Sequence, residues 1–261
     1  MIAKFIPTGI LCLLFVVAII LISLTGLFIF NKWYWKYNPD HKNGIIGIIF
    51  SALSLIYSLL VAFVIVAVWQ DYEELNNTIE QESDKLNSII AHSSRLPDSI
   101  KTTLQKTVLN YCNNVVNKEW KMQEPDTRYQ VSAIPALRLL VLSYQPQSKT
   151  QESVFSVLDE NLSDISDMRR ERLSHTRSHV PQLVWFVLQA GSIIVIIFSY
   201  LFNVASIRLK KICVSFLSGM IAMSLFLVYM LDHPFEGSTQ VSMAPYKDII
   251  QSIHYNGISQ P

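Results

Sequence analysis

The residues most able to do chemistry are few, and they do not form a catalytic set. His175 and His179 lie four apart, a spacing that puts both on one face of a helix, where they could hold a metal. Two ligands are not a site, Arg177 sits between them, and exposed histidines beside a membrane account for the pair. Cys12, Cys112 and Cys213 are scattered and odd in number, so they give neither a disulfide framework nor a metal-binding spacing. There is no glycine-rich phosphate loop, no Gly-x-Ser-x-Gly and no His-Glu-x-x-His, and eight glycines in 261 residues leave little material for such loops. The expectation is no catalytic residue, no metal and no cofactor; the chain does not read as an enzyme.

Two patterns point instead to ions and membranes. Gly47, Ser51, Ser54, Ser58 and Ala62 follow one another at spacings of 4, 3, 4 and 4, which makes a single stripe of small residues along a helix. Close helix packing is the default for such a stripe, because small residues let backbones approach. The functional reading is the water-lined wall of a pore in an oligomer. Just after it come Asp71, Glu73, Glu74, Glu80, Glu82 and Asp84, offset only by Lys85. A solvated helix face is the ordinary explanation. An ion-selecting vestibule is the alternative, with Asp71 and Glu74 as candidates. Arg169, Arg170 and Arg172 could pair with these acids if the intervening chain folds back, and surface pairing of that kind stabilises little.

The elements that must position these residues follow from hydropathy. Hydrophobic residues make up 51% of the chain, charged residues 16%, and mean hydropathy is +0.31, which argues against a soluble globular enzyme and a disordered protein. The net charge of +1 gives no reason to expect nucleic-acid binding. Four apolar runs, Phe5 to Phe30, Gly44 to Trp69, Gln182 to Phe202 and Ile212 to Leu231, are long enough to cross a hydrocarbon core of about 30 Å. Trp33, Tyr34, Trp35, Tyr37, Trp69, Tyr72 and Trp185 flank them as interfacial aromatics. The first run reads as a retained span, since only Lys4 precedes it and no small-x-small cleavage site follows. Within the spans Gln189 is the most polar side chain; the lack of buried charge argues against a proton-coupled carrier and is compatible with a pore.

Between the second and third runs, Gln70 to Val180 carries 13 Lys/Arg and 16 Asp/Glu. Stripes at helical spacing run through it: Tyr72, Leu75, Ile79, Leu86 and Ile90; Ile100, Leu104, Val108, Tyr111 and Val115; Leu137, Leu140, Val141 and Tyr144; then Val154, Val157, Leu158, Leu162, Ile165 and Met168. The first stripe predicts one long helix continuing the second span, and Leu96-Pro97-Asp98 predicts a break with Asp98 as the next helix cap. The fold class is therefore all-α: four transmembrane helices with a helical bundle inserted between the second and third spans. The expected organisation is 1–69 for spans 1 and 2, 70–181 for the soluble insert, 182–231 for spans 3 and 4, and 232–261 for a tail.

Sidedness stays open. Lys32, Lys36, Lys42, Arg208, Lys210 and Lys211 crowd the two short loops against Asp40 alone, which favours cytoplasmic short loops and an outward insert. Lys4, Arg169, Arg170, Arg172 and Arg177 pull the other way.

The C-terminal motif Leu231-Asp232-His233-Pro234-Phe235-Glu236-Gly237, followed by Val241-Ser242-Met243-Ala244-Pro245-Tyr246, adds a family resemblance. Together with Trp69, Tyr72, Leu75, Leu96-Pro97, Tyr111, Glu119-Trp120, Arg170, Arg172, Leu173, Pro181 and Trp185, it resembles the bestrophin-like membrane proteins of bacteria and plants, over about residues 44–250. The resemblance implies distant similarity to bestrophins: homopentameric anion channels with a pore lined by the second span and a cytosolic helical region. Asp232-His233-Pro234-Phe235-Glu236-Gly237 is similar to their Asn-Pro-Phe-Gly element with one extra residue before the glycine. Ser238-Thr239-Gln240-Val241 replaces the acidic run that clasps calcium there, so no calcium site is carried over. Nor is the phenylalanine gate, which has no match in Gly44–Trp69.

Pro234 cannot continue the fourth helix and Gly237 permits the turn that follows. Asp232 at a helix C-terminus is disfavoured by the dipole unless paired; Arg170 or Arg172 is the expected partner, docking the Asp232–Gly237 turn, with Phe235, on the base of the insert. The functional expectation is an oligomeric ion channel in the plasma (bacterial inner) membrane, in contact with membrane lipid, inorganic ions and copies of itself. The alternative is a non-conducting interaction or sensory protein acting through its helical insert.

Overall fold

The computed structural model describes residues 8–34, 43–120, 133–143, 146, 148–176, 179–204, 206–235 and 240–255. Among these, every regular element is helical. The helices are α1 (Thr8–Tyr34), α2 (Asn43–Ser93), α3 (Asp98–Asn114) with a π-helical turn at Val115–Glu119, α4 (Ala133–Ser143), α5 (Lys149–His175), α6 (Gln182–Ser199), α7 (Ile207–Asp232) and α8 (Ala244–Tyr255). Four of them, α1, α2, α6 and α7, are long and apolar enough to cross a membrane. The chain divides into two compact units, Met1–Gln70 with His179–Gln240, and Asp71–Ser178 with Val241–Pro261.

In the first unit α1 packs along α7, and both touch α6. Leu27, Tyr200 and Val214 form one buried cluster; Val61, Leu188 and Val228 form another, with Tyr57 and Trp185 packed against it. Close approach depends on glycine at one point. A Cβ at Gly191 would lie 2.6 Å from Cδ2 of Tyr57, so the tyrosine ring fits only because residue 191 has no side chain. The Tyr57 hydroxyl then donates to the Leu188 carbonyl at 3.2 Å. Tyr200 does likewise to Ser23 at 2.7 Å. Asn43 and Asn203 tie two helix ends together, the Asn43 amide donating to the Asn203 carbonyl at 2.7 Å and its Oδ1 accepting from the Asn203 N–H at 3.0 Å. Lys210, counted among the loop charges from sequence, lies in the first turn of α7 and is buried; its ammonium donates to the Tyr200 carbonyl at 2.8 Å and to Asn31 at 3.1 Å.

Most of this unit's apolar surface remains uncovered by protein: Ile48, Phe63, Phe186 and Phe216 are each about two-thirds exposed or more. Helices with satisfied backbones and apolar surfaces suit a hydrocarbon surrounding. The coverage is uneven. Within the most apolar stretch of each span, 33% of α7 is buried but only 6% of α2.

The second unit is built like a water-soluble bundle. Leu75, Ile79 and Leu86 of α2, Leu104, Val108 and Tyr111 of α3, and Leu158, Leu162 and Ile165 of α5 are buried on the stripes the sequence predicts. The tail adds to this core: α8 packs on α3, and Tyr246, Ile249 and Ile253 are almost fully buried. Pro97, not Asp98, occupies the cap of α3; Asp98 stands in the first turn, where its charge faces the helix dipole without a capping hydrogen bond. Ser148 caps α5, its hydroxyl accepting from the Gln151 N–H at 3.2 Å.

Candidate functional site

The α2 stripe is spread over several environments. Ser51, Ser58 and Ala62 are exposed, while Gly47 and Ser54 are half-buried. Ser51 and Ser58 return their hydroxyl protons to the helix backbone, at Gly47 and Leu55, both at 2.9 Å. The Ser54 oxygen is enclosed and makes no hydrogen bond. Ser54, Ser58 and Ala62 border an open cavity of about 400 Å³, closed on the far side by Val195 of α6 and by Leu217, Ile221 and Ser224 of α7. Asp71 and Glu74 are exposed on the same helix beyond its apolar run.

Asp232, the last residue of α7, has partners other than the expected arginines. Its Oδ1 accepts from the Val180 N–H at 2.6 Å and its Oδ2 from the indole N–H of Trp185 at 3.3 Å. Pro181 at the start of α6 has no N–H to offer, so the carboxylate takes the donor just before it and lies at the positive end of the α6 dipole. A charge disfavoured by its own helix is thus stabilised by the next. His179 and His233 flank it, with Nδ1 atoms 3.9 and 3.7 Å from the carboxylate and rings stacked at 5.0 Å. Pro234 is buried and Phe235 half-buried, while Gly237 lies outside the described residues.

Arg170 and Arg172 are engaged elsewhere. Arg170 makes an exposed contact with Asp167 at 3.5 Å. Arg172 is 1% exposed, so the pairing of acids and arginines is not the surface pairing expected from sequence. Its Nε donates to Glu82 at 2.9 Å and its Nη2 to Glu119 at 2.9 Å, while Arg169 donates to the other Glu119 oxygen at 2.8 Å. Glu82, read from sequence as one of a solvated row, is fully buried and also receives the Tyr111 hydroxyl. The guanidinium of Arg172 lies 5.7 Å from the Tyr246 ring and 5.9 Å from that of Trp120. Burial works against the Arg172 charge, but Glu82 and the neighbouring tyrosines hold its pKa well above the ordinary value. Burial also raises the Tyr111 and Tyr246 phenols and pushes the adjacent Cys112 thiol up to about 12. The π turn that carries Glu119 aims its carboxylate at two arginines.

Spacing alone held a signal for this network. Glu82 stands three residues after Ile79 and four before Leu86, and Arg172 stands seven after Ile165: both occupy core positions of their stripes. A charge at a core position needs a partner, and each is the other's.

A bestrophin-like domain pattern matches residues 14–246. The chain belongs to the bestrophin-like family. Solved structures agree on the fold. A point variant of a bacterial bestrophin homologue from Klebsiella pneumoniae is 14% identical, with a TM-score of 0.67 over 93% of this chain and 99% of that one. A further structure of the Klebsiella pneumoniae homologue is 15% identical, TM-score 0.67, over 95% and 99%. A structure described only as a membrane protein variant reaches a TM-score of 0.71 at 14% identity, over 95% and 99%. No curated protein matches the chain significantly by sequence. The bestrophin-like chain is thus an all-helical membrane protein, and its Asp232 turn and buried Arg172 network fall within the matched span.

Proposed function

We propose that this bestrophin-like protein is a homo-oligomeric ion channel of the plasma (bacterial inner) membrane, with α2 from each copy contributing the pore wall and anions as the conducted ions. The observation that carries the reading is the poor coverage of α2: with 6% of its apolar stretch buried, it is the span with most surface left for neighbouring copies and for a water-filled path. Its exposed hydroxyl at Ser58 and small side chain at Ala62 supply the polar, narrow-profiled part of that surface. The likeness to bestrophin homologue structures supports a channel fold. Asp71 and Glu74 are the vestibule acids of this reading; their negative field opposes anion entry, so neutralising them should raise anion flux.

The test is a cryo-EM reconstruction of the nanodisc-embedded protein paired with anion flux from proteoliposomes. A closed ring with α2 around its axis, and flux blocked by a thiol reagent at Ser58→Cys, is the expected result. A monomer, or a ring whose Ser58→Cys is inaccessible from water, sinks the pore assignment and leaves a partner-binding or sensory protein.

A further inference from the structure

One group of side chains plays no part in the channel reading: His179, Asp232 and His233. Each offers a metal-ligating atom, and the three atoms lie within 4.8 Å of one another. We propose that they form a binding site for a zinc-like divalent transition-metal ion.

Hydrogen bonding fixes the tautomers. A carbonyl oxygen only accepts, so the His179 Nδ1 that meets the Asp232 carbonyl at 2.9 Å carries the proton, as does the His233 Nδ1 that meets the Tyr229 carbonyl at 3.0 Å. With Nδ1 engaged, Nε2 of each ring is the atom left for a metal, although the Nδ1 atoms stand nearer the carboxylate. Imidazoles that bind metals are commonly held in this way, with the other ring nitrogen donating to a carbonyl. The carboxylate is held as firmly. Its two oxygens accept from Val180 and Trp185, which fixes the orientation of the group while each oxygen retains a second lone pair. Stacking of His179 on His233, and of His233 on Tyr229 at 4.4 Å, aligns the rings side by side.

Two imidazoles and one carboxylate match the borderline preferences of Zn²⁺, Co²⁺ or Ni²⁺ better than those of Ca²⁺ or Mg²⁺, which take oxygen. Donor atoms around one zinc ion stand about 3.4 Å apart, so ion binding requires the two rings to turn and bring their Nε2 atoms towards the Asp232 carboxylate. The His179 side chain is 45% exposed, which gives the ion a way in and leaves a coordination position for water. The residues link the end of α7 to the start of α6, so an occupied site would brace the termini of the last two spans. This assignment does not depend on conduction.

Co²⁺ titration of the full chain in detergent, followed by visible absorption, tests it directly. The wild type is expected to bind one Co²⁺ per chain with bands of nitrogen ligation, displaced by Zn²⁺. His179→Gln or His233→Gln should each weaken binding tenfold or more, and the double variant should abolish it, while His175→Gln changes nothing. Zn²⁺ should also raise the melting temperature of the wild type but not of the double variant, which is shown to be folded by its circular dichroism. Absence of Co²⁺ binding to the wild type, or equal binding by the double variant, overturns the proposal.

Discussion

In the first unit several interior hydroxyls are satisfied by nearby backbone carbonyls, Tyr57 by Leu188, Tyr200 by Ser23 and Ser199 by Ile196, while that of Ser54 makes no hydrogen bond. In the second, the full charges of Glu82, Glu119 and Arg172 meet at the centre of an apolar core. The contrast follows from the surroundings. Helices in hydrocarbon gain little by burying apolar side chains against one another, so their cohesion rests on close fit and short polar contacts. A bundle in water is held by its apolar core, and a charge cluster inside it adds little net stability while punishing any arrangement that separates the partners. The ion pairs thus specify which stripes meet.

The sharpest way to break this contrast is to remove one charge. Arg172→Leu leaves Glu82 buried without its cation, and should destabilise the second unit by about 3–5 kcal/mol, read from thermal or denaturant unfolding. Glu82→Leu combined with Arg172→Leu should recover much of that loss. If the single and double variants melt alike, the network is not coupled as described. On the membrane side the corresponding change is steric. Gly191→Ala pushes a methyl against the Tyr57 ring and should cost about 1–3 kcal/mol in detergent melting, with Tyr57→Leu rescuing it. Next comes Asp232→Asn, which keeps the shape but removes the charge at the start of α6, for an expected loss of about 0.5–1 kcal/mol. No change in melting temperature would show that the carboxylate's charge does not stabilise the start of that helix. The smallest effect is a pH slope in the second unit. When unfolded, the Cys112 thiol ionises near 9.0 and the Tyr111 and Tyr246 phenols near 10.0, whereas burial keeps all three protonated in the fold. The folded state therefore holds more protons above pH 9, and its stability should fall as pH rises from there towards 12. A flat alkaline profile would contradict the burial of these groups.

Much of the fold was legible because its signals are local. Apolar runs gave the spans, and Leu75, Ile79, Leu86, Leu158 and Leu162 fell on predicted core stripes. What escaped was pairing across long separations. Glu82 and Arg172 are ninety residues apart and were hidden among other acids and arginines of their helices, although their register marked them. His179 was matched with its sequence neighbour His175, yet it stacks on His233, because the Asp232 carboxylate gathers both ends of a two-helix segment. Asp232 itself was assigned an arginine because charge was the only sequence clue; backbone donors such as that of Val180 carry no side-chain signature. The tail showed no sign of its role in the second unit, since six hydrophobic residues in twelve do not announce their partner.

That last helix has a consequence for biosynthesis. Tyr246, Ile249 and Ile253 of α8 fill the core begun by α2, α3 and α5, but they emerge only after both later spans have been made. The second unit must therefore wait, its core open and Arg172 without the Tyr246 ring, while α6 and α7 pass through the insertion machinery. A nascent chain stalled at that stage exposes an apolar α3 face to chaperones and proteases, so completion of the second unit reports that the last two spans have been made first.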